Sequence, residues 1–277
     1  MKRITLLLTG ICIALTSLAQ TDSTETKKSD TIRVGSMIII RNKNDKDDQE
    51  KKHDQESVTP KKKAKKSNVS TNWWIVDVGI SQFKDQTSYS DMIGMGILPA
   101  GANEDWFNLR NGKSINVNVW AFMQKVNIVK HVVNLKYGLG IELNNYSYSE
   151  NIKYPGGRNP LVIMDTKEYS KNKIAADYIT VPMMLNFNFT PDRRKGFNLS
   201  VGASAGYLYA SRQKTVSGET GKRKEYGNYD LNPWKISYIG EIGLGPVRLY
   251  GSLATESMYK NSLDHTPYNI GIRLSSW

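Results

Sequence analysis

From Val133 to Asn144 apolar and polar residues alternate without a break. Val133, Leu135, Tyr137, Leu139, Ile141 and Leu143 hold the odd positions, and Asn134, Lys136, Gly138, Gly140, Glu142 and Asn144 the even ones. A period of two puts these sets on opposite faces of a β-strand. At about 3.3 Å per residue and a tilt of roughly 40°, ten residue steps climb about 25 Å along a barrel axis. That is the height of the apolar band on a membrane-spanning barrel, roughly 25 Å.

Seven further segments repeat the pattern. The strands are expected near 72–81, 114–124, 132–148, 173–189, 196–212, 234–245, 247–257 and 268–277. Ile179, Val181, Met183, Leu185 and Phe187 face away from Thr180, Asn186 and Asn188. In the second strand Ile115, Val117, Val119, Ala121 and Met123 read as the apolar face, against Asn116, Asn118 and Gln124. Long connections (82–113, 149–172, 213–233) alternate with short ones (125–131, 190–195, Gly245-Pro246), and an intermediate one (258–267) closes the series. All long connections therefore share one rim, as outer loops do in bacterial outer-membrane barrels, and the even count returns the C-terminus to the periplasmic side.

Alternation alone also fits a soluble barrel turned inside out, such as a lipocalin-like binder. Three features favour the membrane: apolar faces long enough to span, one shared loop rim, and aromatics toward strand ends. The last are Trp73, Trp74, Tyr146, Tyr148, Tyr207, Tyr209, Trp234, Tyr268 and Trp277. Trp277 also resembles the C-terminal aromatic read by the barrel-insertion machinery. Its parity is that of Arg273 and Ser275, which a bulge or a frayed end would reconcile. The expected fold is all-β: an eight-stranded antiparallel up-and-down transmembrane β-barrel over 72–277.

Residues 1–19 read as a secretory signal peptide: Lys2 and Arg3, then apolar Ile4 to Leu15, then Ser17-Leu18-Ala19 at the cleavage site. That apolar run is too short for a spanning helix. Cys12, the only cysteine, lies inside it, so disulfides and thiolate metal sites are not expected after cleavage. Residues 20–71 read as a mostly disordered, charged periplasmic linker, interrupted by a short strand or hairpin near 31–40. The expected location is the outer membrane of a Gram-negative bacterium, after Sec export. The net charge of +12 sits in this linker and in loops rather than on a patterned face, so nucleic acid is not an expected partner. Outer-membrane lipid and lipopolysaccharide phosphates are, with Lys167, Lys171, Lys173, Lys222, Arg223 and Lys224 as candidate contacts in stretches rich in Lys and Arg.

The polar strand faces carry Asp77, Lys136, Glu142, Glu241, Arg248, Glu256 and Arg273. Eight strands enclose room for side chains but not for a wide channel, so these charges are expected to form a lumen network of salt bridges. Gly218-Glu219-Thr220-Gly221-Lys222 has the wrong glycine spacing for a phosphate-binding loop and no helix after it. His53, His131 and His265 fall in the tail, a periplasmic turn and an outer loop, too far apart for one metal, and no cofactor is expected. Asp264-His265 would suit a serine nucleophile of a lipid-modifying hydrolase, but no particular serine is indicated, and a catalytic site is not expected. Asp30-Thr31-Ile32 and Asp22-Ser23-Thr24 resemble three-residue O-glycosylation sites of exported Bacteroidetes proteins.

Tyr178-Ile179-Thr180-Val181-Pro182-Met183-Met184-Leu185, then Gly202–Tyr209, then Gly240, Gly243 and Gly245 before the final hairpin, resemble the small PorT-like outer-membrane β-barrel family of Bacteroidetes. The resemblance spans roughly 72–277. It implies location and fold more than activity: one member of that family takes part in type IX secretion, which makes a periplasmic or secretion partner a candidate, but no residue here carries that role over. Pro182 itself removes a ladder donor and should mark a bend or bulge. A structural or interaction role is the first expectation; a narrow pore or uptake protein and a lipid-modifying enzyme are the alternatives.

Overall fold

The computed structural model describes residues 31–34, 37–40, 67–156, 159–191, 196–245 and 247–274. The expected signal peptide, most of the linker, His53, Asp22-Ser23-Thr24, Asp30 and the insertion signal Trp277 lie outside them. In the N-terminal unit, β1 (Thr31–Val34) and β2 (Met37–Ile40) pair antiparallel from Thr31↔Ile40 to Val34↔Met37. The segment expected to hold a short strand or hairpin near 31–40 thus supplies two paired strands.

In the second unit eight long strands close into a ring. They are β3 (Val69–Asp85), β4 (Ile115–Val129), β5 (Val133–Ser147), β8 (Lys171–Asn188), β9 (Phe197–Ser217), β11 (Trp234–Leu244), β12 (Val247–Ala254) and β13 (His265–Leu274). All neighbours are antiparallel; β13 pairs with β3, and β8 with β9, so no edge is left along the wall. Two-residue strands β6 (Ile152–Lys153) and β7 (Ile163–Met164) lie in one loop, with β10 (Gly221–Tyr226) and the short helix α1 (Tyr89–Gly94) in others.

The outward face is apolar. Val76, Val78, Ile80, Ile179, Val181, Met183, Leu185, Ile242, Leu249, Ile270 and Ile272 are all exposed. For a chain in water this would be an aggregation surface; in a bilayer it is the lipid face. Aromatics bound it at both rims. Trp73 tilts against Phe122, and Phe189 stacks on Phe197, at the short-turn rim; Tyr207 and Trp234 pack edge to face at the other, 5.0 Å apart. From Phe197 to Tyr207 is ten residue steps, about 25 Å along the tilted axis.

Two bulges redirect side chains. β4 and β5 slip register between Trp120 and Phe122, leaving Ala121 as the extra residue. Met123 therefore points inward and is wholly buried with Trp120, Ile75 and Met184, contrary to its expected place on the apolar outer face. β8 and β9 slip register at Asp177/Tyr178. Tyr178 opposes Leu208 while Asp177 opposes Ala210, so Tyr209 is the extra residue there. Pro182 keeps its place opposite Ser204 in β9, while the β5 ladder is interrupted between Met183 and Thr180, where the missing N–H would have been needed.

The long connections are folded rather than loose. Leu98, Phe107, Tyr146, Tyr148, Ile152, Tyr154, Leu161, Tyr229, Tyr259 and Leu263 belong to an apolar core at the long-loop end. Tyr146 and Tyr148, expected in the aromatic belt, are inside it, because the even positions of β5 face the lumen. The Tyr148, Tyr154 and Tyr259 hydroxyls form a chain, 2.9 and 2.7 Å apart. Burial pushes the Tyr148 phenol up to about 12, against the lowering effect of its hydrogen bonds with Tyr154 and Tyr259. The stretch 213–233, expected as a long connection, begins with the extension of β9 and its hairpin partner β10.

Candidate functional site

The lumen is organised around Glu241 on β11. Lys136 from β5 reaches its two oxygens at 2.7 and 2.6 Å, Arg248 from β12 reaches Oε1 at 2.7 Å, and Arg273 from β13 reaches Oε2 at 2.5 Å. Arg273 turns its other nitrogens to Asp77 on β3, with Nε to Oδ1 and Nη2 to Oδ2 both 2.7 Å. Asp77 also accepts from Trp120 Nε1 at 2.7 Å and Asn118 Nδ2 at 3.2 Å. One polar cluster thus links six of the eight strands. Every member is buried, and a charge taken out of water survives only with such partners.

A second cluster lies nearer the loop end. Glu142 is paired with Lys235 and accepts from Asn144 at 3.1 Å, Asn269 at 3.2 Å and Thr180 at 3.4 Å. Between the clusters remains a cavity of about 30 Å³, lined by Asn118, Trp120, Glu142, Met184, Glu241 and Arg273. That is room for a water or two, not for a hydrated ion path. The apolar core of the long connections lies at the outer end of the same barrel.

Six of the seven charges expected in the lumen are there: Asp77, Lys136, Glu142, Glu241, Arg248 and Arg273. Glu256 is not. β12 ends at Ala254, and Glu256 is exposed in the connection that follows. Lys235 stands in its place, a buried cation that a reading of this strand from Ser237 and Glu241 alone overlooks. Its odd parity, shared with both, was the available signal.

His265 is not a solvated loop residue. It opens β13, is completely buried, stacks on Phe83 at 4.2 Å, and sets Nε2 3.1 Å from Asp85 Oδ2. Its carboxylate neighbour is thus the cross-strand Asp85 and not Asp264, which is exposed. Burial works to raise the Asp85 pKa; the contacts with His265, Tyr89 and Thr87 outweigh it and hold the carboxyl well below its usual range. Ser257 Oγ is occupied by backbone: it accepts from the N–H of His265 at 3.0 Å and Tyr259 at 3.1 Å, and donates to Leu263 O at 2.9 Å. His131 sits in the β4–β5 turn, at the opposite rim.

The six candidate lipopolysaccharide contacts separate. Lys171, Lys173, Lys222 and Lys224 share the outward face of the β8–β9–β10 sheet, while Arg223 has the opposite parity. Lys167 lies in the preceding loop, 3.9 Å from Glu219. Arg212 and Lys214 join the outward four, shifted there by the Tyr209 bulge and by the continuation of β9 past residue 212.

A closed ring of eight antiparallel strands, an apolar outer belt between two aromatic girdles and a charge-paired polar interior define an integral membrane β-barrel. The chain belongs to the outer membrane protein beta-barrel domain family, whose model matches residues 74–265. It is accordingly an outer-membrane protein. No curated protein matches the chain.

Proposed function

We propose that the barrel is a non-conducting anchor that works through its surfaces: the folded outer cap, and the N-terminal segment on the periplasmic side. The observation carrying this reading is the interior, where charged side chains of the described residues pair across the lumen around a cavity of about 30 Å³. A pore would need an open path, and an enzyme an accessible reacting group. On this reading the chain is Sec-exported with its signal peptide removed, is inserted with the help of Trp277, and is of the PorT-like kind that its Ile179-Thr180-Val181-Pro182 strand resembles. A secretion component is then a candidate periplasmic partner. Refolded protein in a planar bilayer is expected to give no discrete conductance steps at low or high salt. Reproducible single-channel steps would replace this reading with the narrow pore.

The enzymatic alternative has its own test. Cells carrying His265→Ala are expected to show an unchanged lipid A mass spectrum, while the cap of the purified variant is cleaved faster by protease because a ring packed on Phe83, Phe107 and Tyr259 is lost. A change in lipid A that depends on His265 would restore the hydrolase.

A further inference from the structure

Above the outer girdle, β8, β9 and β10 continue as a three-stranded sheet whose outward face is cationic. Register places Lys173, Lys214 and Lys224 directly opposite one another in one row. The next row outward is Lys171, Val216 and Lys222; the row below holds Ala175, Arg212 and Tyr226. Facing residues on neighbouring strands stand about 5 Å apart, and like charges so placed repel. Among the described residues Arg212 alone of these six cations meets a carboxylate, Asp177. Lys173 bonds the neutral Asn145 amide oxygen and feels Asp177 without forming an ion pair with it.

We infer that this sheet face binds the phosphates of outer-leaflet lipopolysaccharide. Three features select that occupant. The face is continuous with the lipid-facing belt, since the same outward positions of β9 carry Tyr207 and Tyr209 just below. Its height is that of a headgroup layer: Arg212 lies roughly 8 Å, and Lys214 roughly 13 Å, above Tyr209 along the axis. Its charge is complementary, and a row of three lysines is relieved by an anion with several oxygens per phosphate. The crowding is visible in the lysines themselves. Burial, then Lys171, Lys214 and Arg212, push Lys173 down to about 8, and Lys214 is lowered by burial and by Lys222, Lys171, Lys224 and Arg212.

The inference rests on the reading of the barrel as a surface-acting anchor with its long loops outside. Its test is the affinity of the refolded full chain for bisphosphorylated lipid A, dephosphorylated lipid A and inorganic phosphate, read by native mass spectrometry. The wild type should prefer the bisphosphorylated lipid by about tenfold or more. The K171Q/K214Q/K224Q variant should lose that preference while keeping its heat-modifiable gel migration, since the substitutions remove repulsion and sit outside the belt. Equal wild-type affinity for the two lipids overturns the inference without recourse to any variant. So does an undiminished preference in the folded triple variant, or displacement of the lipid by millimolar phosphate, which would mark a free-anion site. Conductance steps from the same preparation would strike the anchor reading instead, whatever the lipid result.

Discussion

Replacing Glu241 by Gln is expected to lower the unfolding free energy by about 3–5 kcal/mol. The side chain keeps its shape but loses the charge that Lys136, Arg248 and Arg273 share. Three cations then face one another in a space from which water is nearly excluded, while Arg273 retains Asp77 and Arg248 retains the Asn198 amide oxygen. Urea titration of the barrel refolded into lipid vesicles measures the effect. The informative control is Glu256→Gln, which should stay within about 0.5 kcal/mol because Glu256 is exposed. Lys136→Met in the Glu241→Gln background should recover part of the loss, since one of the three mutually repelling charges is removed. Equal small effects at 241 and 256 would show that the lumen is wetter than its geometry indicates.

The second large effect is expected at Gly271→Ala, roughly 3 kcal/mol or failure to refold. Gly271 and Gly79 face each other across β13 and β3 on the lumen side, and the Tyr250 ring lies over both. A Cβ on Gly271 would come within 2.5 Å of Gly79 Cα and Val78 O and 2.6 Å of Tyr250 Cε1. Two of those atoms are backbone in a closed ring, so the wall has no inexpensive way to move. Tyr250 also donates its hydroxyl to Asn116, so displacing the ring breaks a cross-lumen bond. Gly251 is the counterpart on the lipid side, where a Cβ would meet only Asn269 O at 3.7 Å. Gly251→Ala should unfold at nearly the wild-type denaturant midpoint. A tolerated Gly271→Ala would mean that Tyr250 is not packed as a lid over the glycine pair.

Both variants act where reading along the chain stopped short. The spacing of Val133 to Leu143 was enough to identify β5, because alternation is local and each strand carries its own copy. It was also enough to place Lys136 and Glu142 inside. It could not say that Lys136 meets Glu241, 105 residues away, while Glu142 meets Lys235. Parity was misleading past Ala121 and Tyr209, since a single extra residue exchanges the two faces, and nothing in Met123 or Lys214 marks that exchange. The tyrosine-rich cap was missed for another reason. Its residues come from several loops with no period, and they become a core only when the rim brings them together.

Strand identity, the sorting of long and short connections to opposite rims and residence in a membrane all follow from the amino-acid order, because a lipid-facing strand must hide its backbone and alternate its side chains within each segment. Which charges share a partner, which aromatics leave the belt to seal the mouth, and which lysines stand side by side above it were settled by closure of the ring. Those relations depend on cross-strand register, and register is a property of two strands at once, not of either one read alone.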